Sequence, residues 1–261
     1  MKKKILFVYD HEYPHLWRDG LWAAIQLLLN DYDVVCKNIR TDEVDIQGYD
    51  LLLGWGGFES PVEQAIRYLD IKKGLCIGGN AFEPIHRHNY DVLFYETEWY
   101  KPQIADHKNI HLAFGVNTQI YFHRKRATKL FDVISVGAFS SWKRQEKIRA
   151  LPGLRIVIGE IQRGNMSESL QIVGELLTNG VAVCNMVTPE KLSDFYNASR
   201  LCYIPADING GGERAVLEAR ACGVPVKIEG DNPKLHEISK MPVPSEVHYY
   251  KALLKGITSV T

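Results

Sequence analysis

The sequence predicts an α/β protein with two doubly wound parallel sheets. Short apolar runs alternate with amphipathic helical stretches along almost the whole chain, which is typical of parallel strands covered by helices. The alternation occurs twice, on either side of a segment at 111–122 that is followed by a basic run at 123–129. Because 261 residues exceed the usual size of one domain, two domains with a cleft between them are expected.

The first alternation predicts an N-terminal domain at residues 1–115. Its strands are predicted at 5–9, 33–38, 50–53, 74–77 and 91–95, and its helices at 20–29 and 62–69. Each strand is a short apolar run bounded by charged residues or glycine. In the first helix Leu21, Ala24, Ile25 and Leu28 share one face, which is the spacing that a helix buries.

The second alternation predicts a C-terminal domain at residues 116–244. Its strands are predicted at 131–136, 155–158, 181–185, 201–204 and 224–228, and its helices at 170–177 and 189–198. Thr188 and Pro189 suit the cap and the first turn of the second helix. A last helix is predicted at 245–257, so residues 245–261 could cross back to the first domain.

Composition bounds the function only loosely. The formal net charge is zero and the isoelectric point is about 7.1, so bulk charge gives no argument for a nucleic-acid or membrane partner. The five cysteines have no CxxC spacing and mostly adjoin apolar runs, which favours reduced thiols over zinc ligands. Without a long apolar run or a signal peptide, the sequence predicts a cytoplasmic protein.

The stretch at 199–226 (SRLCYIPADINGGGERAVLEARACGVPV) carries the strongest functional signal. It places an apolar strand, three consecutive glycines (Gly210, Gly211 and Gly212) and a helix in that order. A glycine loop lets backbone N–H groups approach an anion closely, and the helix start adds partial positive charge. Arg214 stands in the first helical turn, with Glu218 four residues further along the same face. The arrangement predicts a phosphorylated ligand with a hydroxyl-bearing part for Glu218.

Three segments resemble the GT-B glycosyltransferases known as glycosyl transferases group 1. Residues 115–122 (GVNTQIYF) are similar to the family's link between domains, and 136–143 (VGAFSSWK) to its strand-to-loop segment. The most specific match is LEARACGVPV at 217–226. The resemblance implies two facing Rossmann-like domains and transfer of a sugar from a nucleoside diphosphate sugar, with retention at the anomeric carbon.

The resemblance also implies the donor site. Its residues would be Gly137, Lys143, Arg144, Gly210, Gly211, Gly212, Glu213, Arg214 and Glu218. In this family such a glutamate accepts hydrogen bonds from the donor ribose, and such a lysine binds phosphate and neutralises the departing diphosphate. Neither a metal nor a cofactor is implied, and there is no DxD motif. The donor would be a UDP- or GDP-sugar, and the enzyme a hexosyltransferase.

Two positions depart from the family pattern. Gly210 stands where the first of two glutamates is usual, and Ala138 stands where an arginine is usual. The pair Arg214 and Glu218 is similar instead to a branch that includes spore-maturation-type glycosyltransferases. Gly210 keeps open a non-catalytic nucleotide-sugar-binding protein or partner subunit. A dinucleotide-dependent oxidoreductase or epimerase is disfavoured because no glycine fingerprint follows the first strand.

The N-terminal domain is expected to hold the acceptor at its strand ends. The polar and aromatic candidates there are Asp10, His11, Glu12, residues 55–59, Asn80, Glu83, His86, His88, Glu96 and Glu98. His11 and Glu12 follow the first strand and are the preferred catalytic candidates. The acceptor could be a glycan, a lipid-linked or small-molecule hydroxyl, or a modified DNA base. His86, His88 and His107 lack a recognised metal-ligand spacing.

Overall fold

The computed structural model describes residues 2–78 and 83–261 and divides into two compact units. Unit 1 comprises Met1–Gly115 with Pro244–Thr261, and unit 2 comprises Val116–Val243. Every strand pairing in the described residues is parallel, with six strands in one sheet and five in the other. The predicted α/β class with two parallel sheets is therefore confirmed.

The sheet of unit 1 has the order β2-β1-β3-β4-β5-β6. Its strands are β1 (Lys4–Tyr9), β2 (Asp33–Asn38), β3 (Leu51–Trp55), β4 (Lys73–Ile77), β5 (Val92–Tyr95) and β6 (Ile110–Leu112). Residues 5–8 and 51–53 are entirely buried because a strand covered on both faces has no polar side. The strand order reverses between β1 and β3.

The described residues of unit 1 form three α-helices, and each begins at a defined cap. They are α1 (Gly20–Leu28), α2 (Pro61–Ile66) and α7 (Glu246–Thr258). The Asp19 carboxylate accepts from the Trp22 N–H at 2.9 Å at the start of α1. In α7, Tyr249, Leu253 and Ile257 repeat every four residues and are buried, which packs this C-terminal helix on α1, β5 and β6.

The sheet of unit 2 has the order β11-β10-β7-β8-β9. Its strands are β7 (Phe131–Val136), β8 (Arg155–Gly159), β9 (Ala182–Asn185), β10 (Ser199–Ile204) and β11 (Val226–Ile228). Its helices are α3 (Met166–Thr178), α4 (Pro189–Asn197), α5 (Glu213–Ala221) and α6 (Pro233–Lys240). Thr188 caps α4 as predicted, accepting from the Lys191 N–H. Val133, Phe139, Val157 and Leu176 form the centre of one buried cluster.

Two elements were missed by the sequence analysis. β6 lies in the region assigned to the domain boundary and pairs with β5, but its three residues are too few to show a period. α6 has only two turns, and its buried apolar residues are Leu235 and Ile238, so its helical pattern is weak. Among residues 2–78 and 83–261, no helix is both long and apolar enough to cross a bilayer.

Candidate functional site

Two loops meet where the strand order of unit 2 reverses. β7 and β10 are neighbours although β8 and β9 lie between them in the chain, and such a switch point opens a crevice at the carboxyl ends of the strands. The β7 loop (residues 137–144) and the glycine loop (residues 205–212) both begin at this edge. The Asp207 N–H donates to the Trp142 carbonyl at 3.0 Å, so the two loops are in direct contact.

The glycine loop leads into α5 in a conformation that requires glycine. Gly211 and Gly212 have φ values of 61° and 116°, in the left-handed region that other residues rarely adopt. Gly212 is the N-cap of α5 and brings no side chain to its first N–H groups. These N–H groups, together with the positive end of the helix, are the features that bind anions.

Gly210 is glycine because of its neighbour and not because of its dihedral angle. A Cβ at this position would lie 2.3 Å from the Trp142 carbonyl oxygen and 2.9 Å from the Trp142 carbonyl carbon. Backbone atoms cannot rotate away as a side chain could. The position that carries a glutamate in the family pattern therefore has no room here for any side chain.

Lys143 is a half-buried residue of the β7 loop. A Cβ on Gly137, which has φ 147°, would come within 3.2 Å of Lys143 Cε, so the glycine makes room for the lysine stem. Burial lowers the pKa of the Lys143 ammonium to about 8; Glu213 opposes that shift, while Arg214 and Lys234 add to it. Several cations gathered at a helix start favour an anionic ligand, because its charge would relieve their mutual repulsion.

Glu213, at the first position of α5, is paired with a residue that the sequence analysis did not single out. Its Oε1 lies 2.9 Å from Lys234 Nζ on α6. Glu213 is 4% exposed and Lys234 is fully buried. Removal of either partner would leave a buried charge unpaired, so this pair joins α5 firmly to α6.

Arg214 and Glu218 occupy different environments on α5. Arg214 is exposed in the first turn, where its guanidinium can reach a ligand outside the helix. Glu218 is 8% exposed and accepts a hydrogen bond from the Tyr196 hydroxyl at 3.2 Å. Burial and Glu218 raise the pKa of Tyr196 well above its ordinary value, so the hydroxyl keeps its proton and donates. Tyr196 is a second functional candidate that no local sequence signal indicated.

Arg144 is held by the protein itself. Its guanidinium donates to both carboxylate oxygens of Asp231, at 2.7 and 2.6 Å, and its Nε donates to the Pro205 carbonyl at 2.8 Å. All three contacts are made to neighbouring loops of unit 2. The structure thus places Arg144 beside the crevice with its donors engaged by Asp231 and Pro205.

The architecture can be compared with known proteins. No protein-family model matches the chain, and no curated protein sequence matches it. Sucrose-phosphate synthase from Thermosynechococcus elongatus superposes with a TM-score of 0.67 at 13% identity, covering 98% of this chain and 90% of that one. HepE from Anabaena, in complex with UDP and glucose, gives 0.64 at 12% identity over 98% and 89%. Trehalose 6-phosphate synthase from Burkholderia multivorans gives 0.59 at 12% identity over 99% and 93%.

The chain has the GT-B fold. Its two parallel α/β sheets match GT-B structures over almost its entire length. At 12–13% identity this likeness establishes the fold alone.

In this GT-B chain, His11 and Glu12 follow β1 beside the switch point of unit 1. Asn38 brackets the loop, since its side-chain Nδ2 donates to the His11 carbonyl at 2.8 Å. The His11 ring stacks on Trp17 with centroids 5.7 Å apart, and Trp17 stacks on Trp55 at 5.1 Å. The imidazole is therefore presented from an aromatic stack at the carboxyl edge of the sheet.

Three other acceptor candidates of unit 1 form ion pairs with their neighbours. Glu59 contacts Arg67 at 2.9 Å and His86 at 3.2 Å, and Glu98 contacts Lys101 at 3.1 Å. Asn80 lies outside the described residues. In the described part of the chain, no group of three or more His, Cys, Asp or Glu side chains is arranged to hold a metal ion.

Proposed function

We propose that this chain is a glycosyltransferase that moves a sugar from a nucleoside diphosphate sugar to an acceptor hydroxyl. One observation carries the proposal: the glycine loop, the N-terminus of α5 and the Lys143 ammonium converge at the switch point of unit 2. Such a combination suits a diphosphate, because backbone N–H groups, a helix dipole and a cation all stabilise its charge.

Each site residue has a proposed role in holding the donor. Gly137, Gly211 and Gly212 allow the backbone to approach the diphosphate, while Lys143 and Arg214 neutralise its charge. Glu218, oriented by Tyr196, accepts hydrogen bonds from the ribose hydroxyls. The role of Glu213 is indirect, since its pair with Lys234 fixes the start of α5. Gly210 leaves space for the Trp142 backbone.

The reaction exchanges one bond at the anomeric carbon for another. The bond from this carbon to the diphosphate oxygen breaks, and a bond to the acceptor oxygen forms. We propose retention at the anomeric carbon, with the acceptor proton passing to the leaving diphosphate on the same face. Lys143 stabilises the negative charge that develops on the diphosphate, and the mechanism needs no metal. His11 and Glu12 orient the acceptor hydroxyl.

The substrate classes can be narrowed further. UDP- or GDP-sugars are the proposed donors, and UDP is the first choice because the HepE structure holds UDP and glucose. The acceptor is a glycan, a lipid-linked or small-molecule hydroxyl, or a modified DNA base.

The spacing of Arg214 and Glu218 supports the spore-maturation-type branch of the glycosyltransferases. All five cysteines are free thiols, which supports a place in the cytoplasm.

A second candidate function is a protein that binds a nucleotide sugar without transferring it. The favouring observation is that a Cβ at Gly210 would lie 2.3 Å from the Trp142 carbonyl oxygen, which leaves no room for a carboxylate directed at the donor sugar. Such a protein would make the same contacts with the phosphates as the proposed glycosyltransferase but would not transfer the sugar.

Thermal unfolding with a nucleotide panel tests the proposal. UDP, GDP, ADP, CMP and their sugars are compared, with NAD and NADP as controls. A ligand at 100 times its Kd stabilises by about 2.7 kcal/mol, which is readily measured. The expected result is stabilisation by one nucleoside diphosphate, which is lost in Lys143→Ala and kept in Lys147→Ala. Lys147 is a nearby lysine that contacts Glu229 at 3.8 Å.

The other outcomes separate the alternatives. Stabilisation by NAD or NADP alone would replace the proposal with a dinucleotide-dependent oxidoreductase or epimerase. Binding of a nucleotide sugar without release of the free nucleotide, across a panel of acceptors, would favour the non-catalytic protein. Binding that persists unchanged in Lys143→Ala would move the phosphate site elsewhere.

A further inference from the structure

Arg144 has an unusual backbone conformation for its residue type. Its φ and ψ are 48° and 34°, in the left-handed region, where a side chain with a Cβ is disfavoured. Among the described residues, Glu59 is the other non-glycine residue with positive φ. Such a conformation persists only where the surrounding contacts hold it, and it is a reason to look for a function.

The contacts that hold Arg144 join three loops of unit 2. Arg144 belongs to the β7 loop, and its Nε donates to the carbonyl of Pro205, the first residue of the glycine loop. The forked contact to Asp231 reaches the β11 loop (residues 229–232). The next residue, Asn232, donates from Nδ2 to the Asp207 carbonyl at 2.7 Å and so returns to the glycine loop. We name the contacts of Arg144 with Asp231 and Pro205 the Arg144 latch.

The residues on either side of Arg144 are fixed as well. Gln145 is 1% exposed and donates from Nε2 to the Gly137 carbonyl at 2.8 Å. Lys143 precedes Arg144 directly, and its stem lies over Gly137. The left-handed turn at Arg144 thus lies between two residues that both lie against Gly137.

We propose that Arg144 is a positioning residue: its latch onto Asp231 and Pro205 holds the β7 loop so that the Lys143 ammonium stays at the start of α5. This role replaces the direct donor contact that the sequence analysis assigned to Arg144. The fork requires a guanidinium, because a lysine ammonium cannot bind both carboxylate oxygens and a carbonyl in one plane. The consequence of the Arg144 latch for donor binding rests on the proposed function, whereas the effect of the latch on Lys143 does not.

Lys143 itself reports the state of the latch. The charged groups facing it are Asp207 from the glycine loop, Glu213 and Arg214 from α5, and Lys234 from α6. Burial among these groups lowers the pKa of Lys143 to about 8. When the latch is released, the ammonium regains contact with water, so its pKa is expected to rise towards the ordinary value.

The first experiment measures the titration of Lys143 without any nucleotide. The intact protein is labelled with acetic anhydride over a pH series, and the acylation of each lysine is read by peptide mass spectrometry. The unaltered protein is expected to show a midpoint near 8 for Lys143. Arg144→Lys, Arg144→Ala and Asp231→Asn should each raise this midpoint by at least about one unit. Lys147→Ala is the matched control. Lys147 also faces the β11 loop, where it lies 3.8 Å from Glu229, but it is not part of the Arg144 latch.

The second experiment measures UDP affinity by calorimetry in the same variants. We expect Arg144→Lys and Asp231→Asn each to weaken UDP binding about tenfold. The double variant with Arg144→Asp and Asp231→Arg should bind UDP more tightly than Arg144→Asp alone or Asp231→Arg alone. Since Arg144→Lys keeps the positive charge, a loss there indicates lost geometry and not lost attraction. Should Arg144→Ala fail to fold, Arg144→Lys and Asp231→Asn decide the outcome.

The two experiments distinguish the latch from the proposed function. A raised midpoint in the latch variants, with no nucleotide bound by the unaltered protein, would support the latch and contradict the proposed function. UDP binding with an unmoved midpoint in folded latch variants would overturn the latch alone. An ordinary midpoint for Lys143 in the unaltered protein would also overturn it.

Discussion

Gly210→Ala is the sharpest test of the site's geometry. The added Cβ would lie 2.3 Å from the Trp142 carbonyl oxygen and 2.9 Å from Ala206 Cβ. The carbonyl cannot yield without loss of its hydrogen bond from the Asp207 N–H, which is 3.0 Å long. The substitution therefore pushes the β7 loop away from the glycine loop.

The cost can be assembled from its parts. Overpacking in a tight region costs about 1–3 kcal/mol. A weakened backbone hydrogen bond adds about 0.5–1.5 kcal/mol. Loss of the glycine's freedom in the unfolded chain returns about 0.4–1 kcal/mol. The net expectation is a destabilisation of about 0.5–4 kcal/mol, together with weaker UDP binding because Lys143 moves with the β7 loop.

The assay is thermal unfolding with and without UDP, and each kcal/mol corresponds to roughly 2–4 °C. Gly230→Ala is the matched control, because nothing lies within 4 Å of its added Cβ and its φ is not in the left-handed region. This control should unfold at the unaltered temperature or slightly above it. If Gly210→Ala unfolds at the same temperature as the control and binds UDP equally well, the contact between the two loops has been misjudged.

Three further predictions concern the donor site and unit 1. Glu218→Gln should weaken UDP binding by about 1–3 kcal/mol in calorimetry, because a charged hydrogen-bond acceptor is lost; equal affinity in a folded variant would remove Glu218 from the site. UDP affinity should fall as pH rises through about 8, where Lys143 loses its proton, and fluorescence titration of Lys143→Ala should show no such fall. The stability effect of Lys143 has the opposite sign: its pKa in the folded protein lies below the ordinary lysine value of 10.5, so its contribution to the free energy of unfolding rises as the pH increases from about 8 to 10.5. Leu253→Ala in α7 should cost about 2–5 kcal/mol in urea unfolding, since this side chain is fully buried; an unchanged midpoint would show that α7 is not part of the core of unit 1.

The fold was predictable because its signals are local. Apolar runs such as residues 5–8 and 51–53 predict buried strands directly, and caps such as Thr188 mark the start of a helix within a few residues. Short helices and strands contain too few residues to give such a signal. β6 has three residues and α6 two turns, so neither showed a period long enough to recognise.

The site was predictable only in part. The glycines and Arg214 lie together in the chain, so one segment indicated a phosphate loop. The partners of the site residues come from elsewhere: Tyr196 reaches Glu218 from α4, and Lys234 reaches Glu213 from α6. A hydrogen bond between residues about twenty positions apart leaves no trace in local spacing.

By itself, the sequence determined the alternation of strands and helices, the two parallel sheets, and the glycine loop at the start of α5. Only the tertiary structure decided that Gly210 must accommodate the Trp142 carbonyl and that Arg144 binds Asp231. The physical reason is the switch point between β7 and β10. Strand order brings together loops that are distant in the chain, and their contacts depend on distances that no residue pattern encodes.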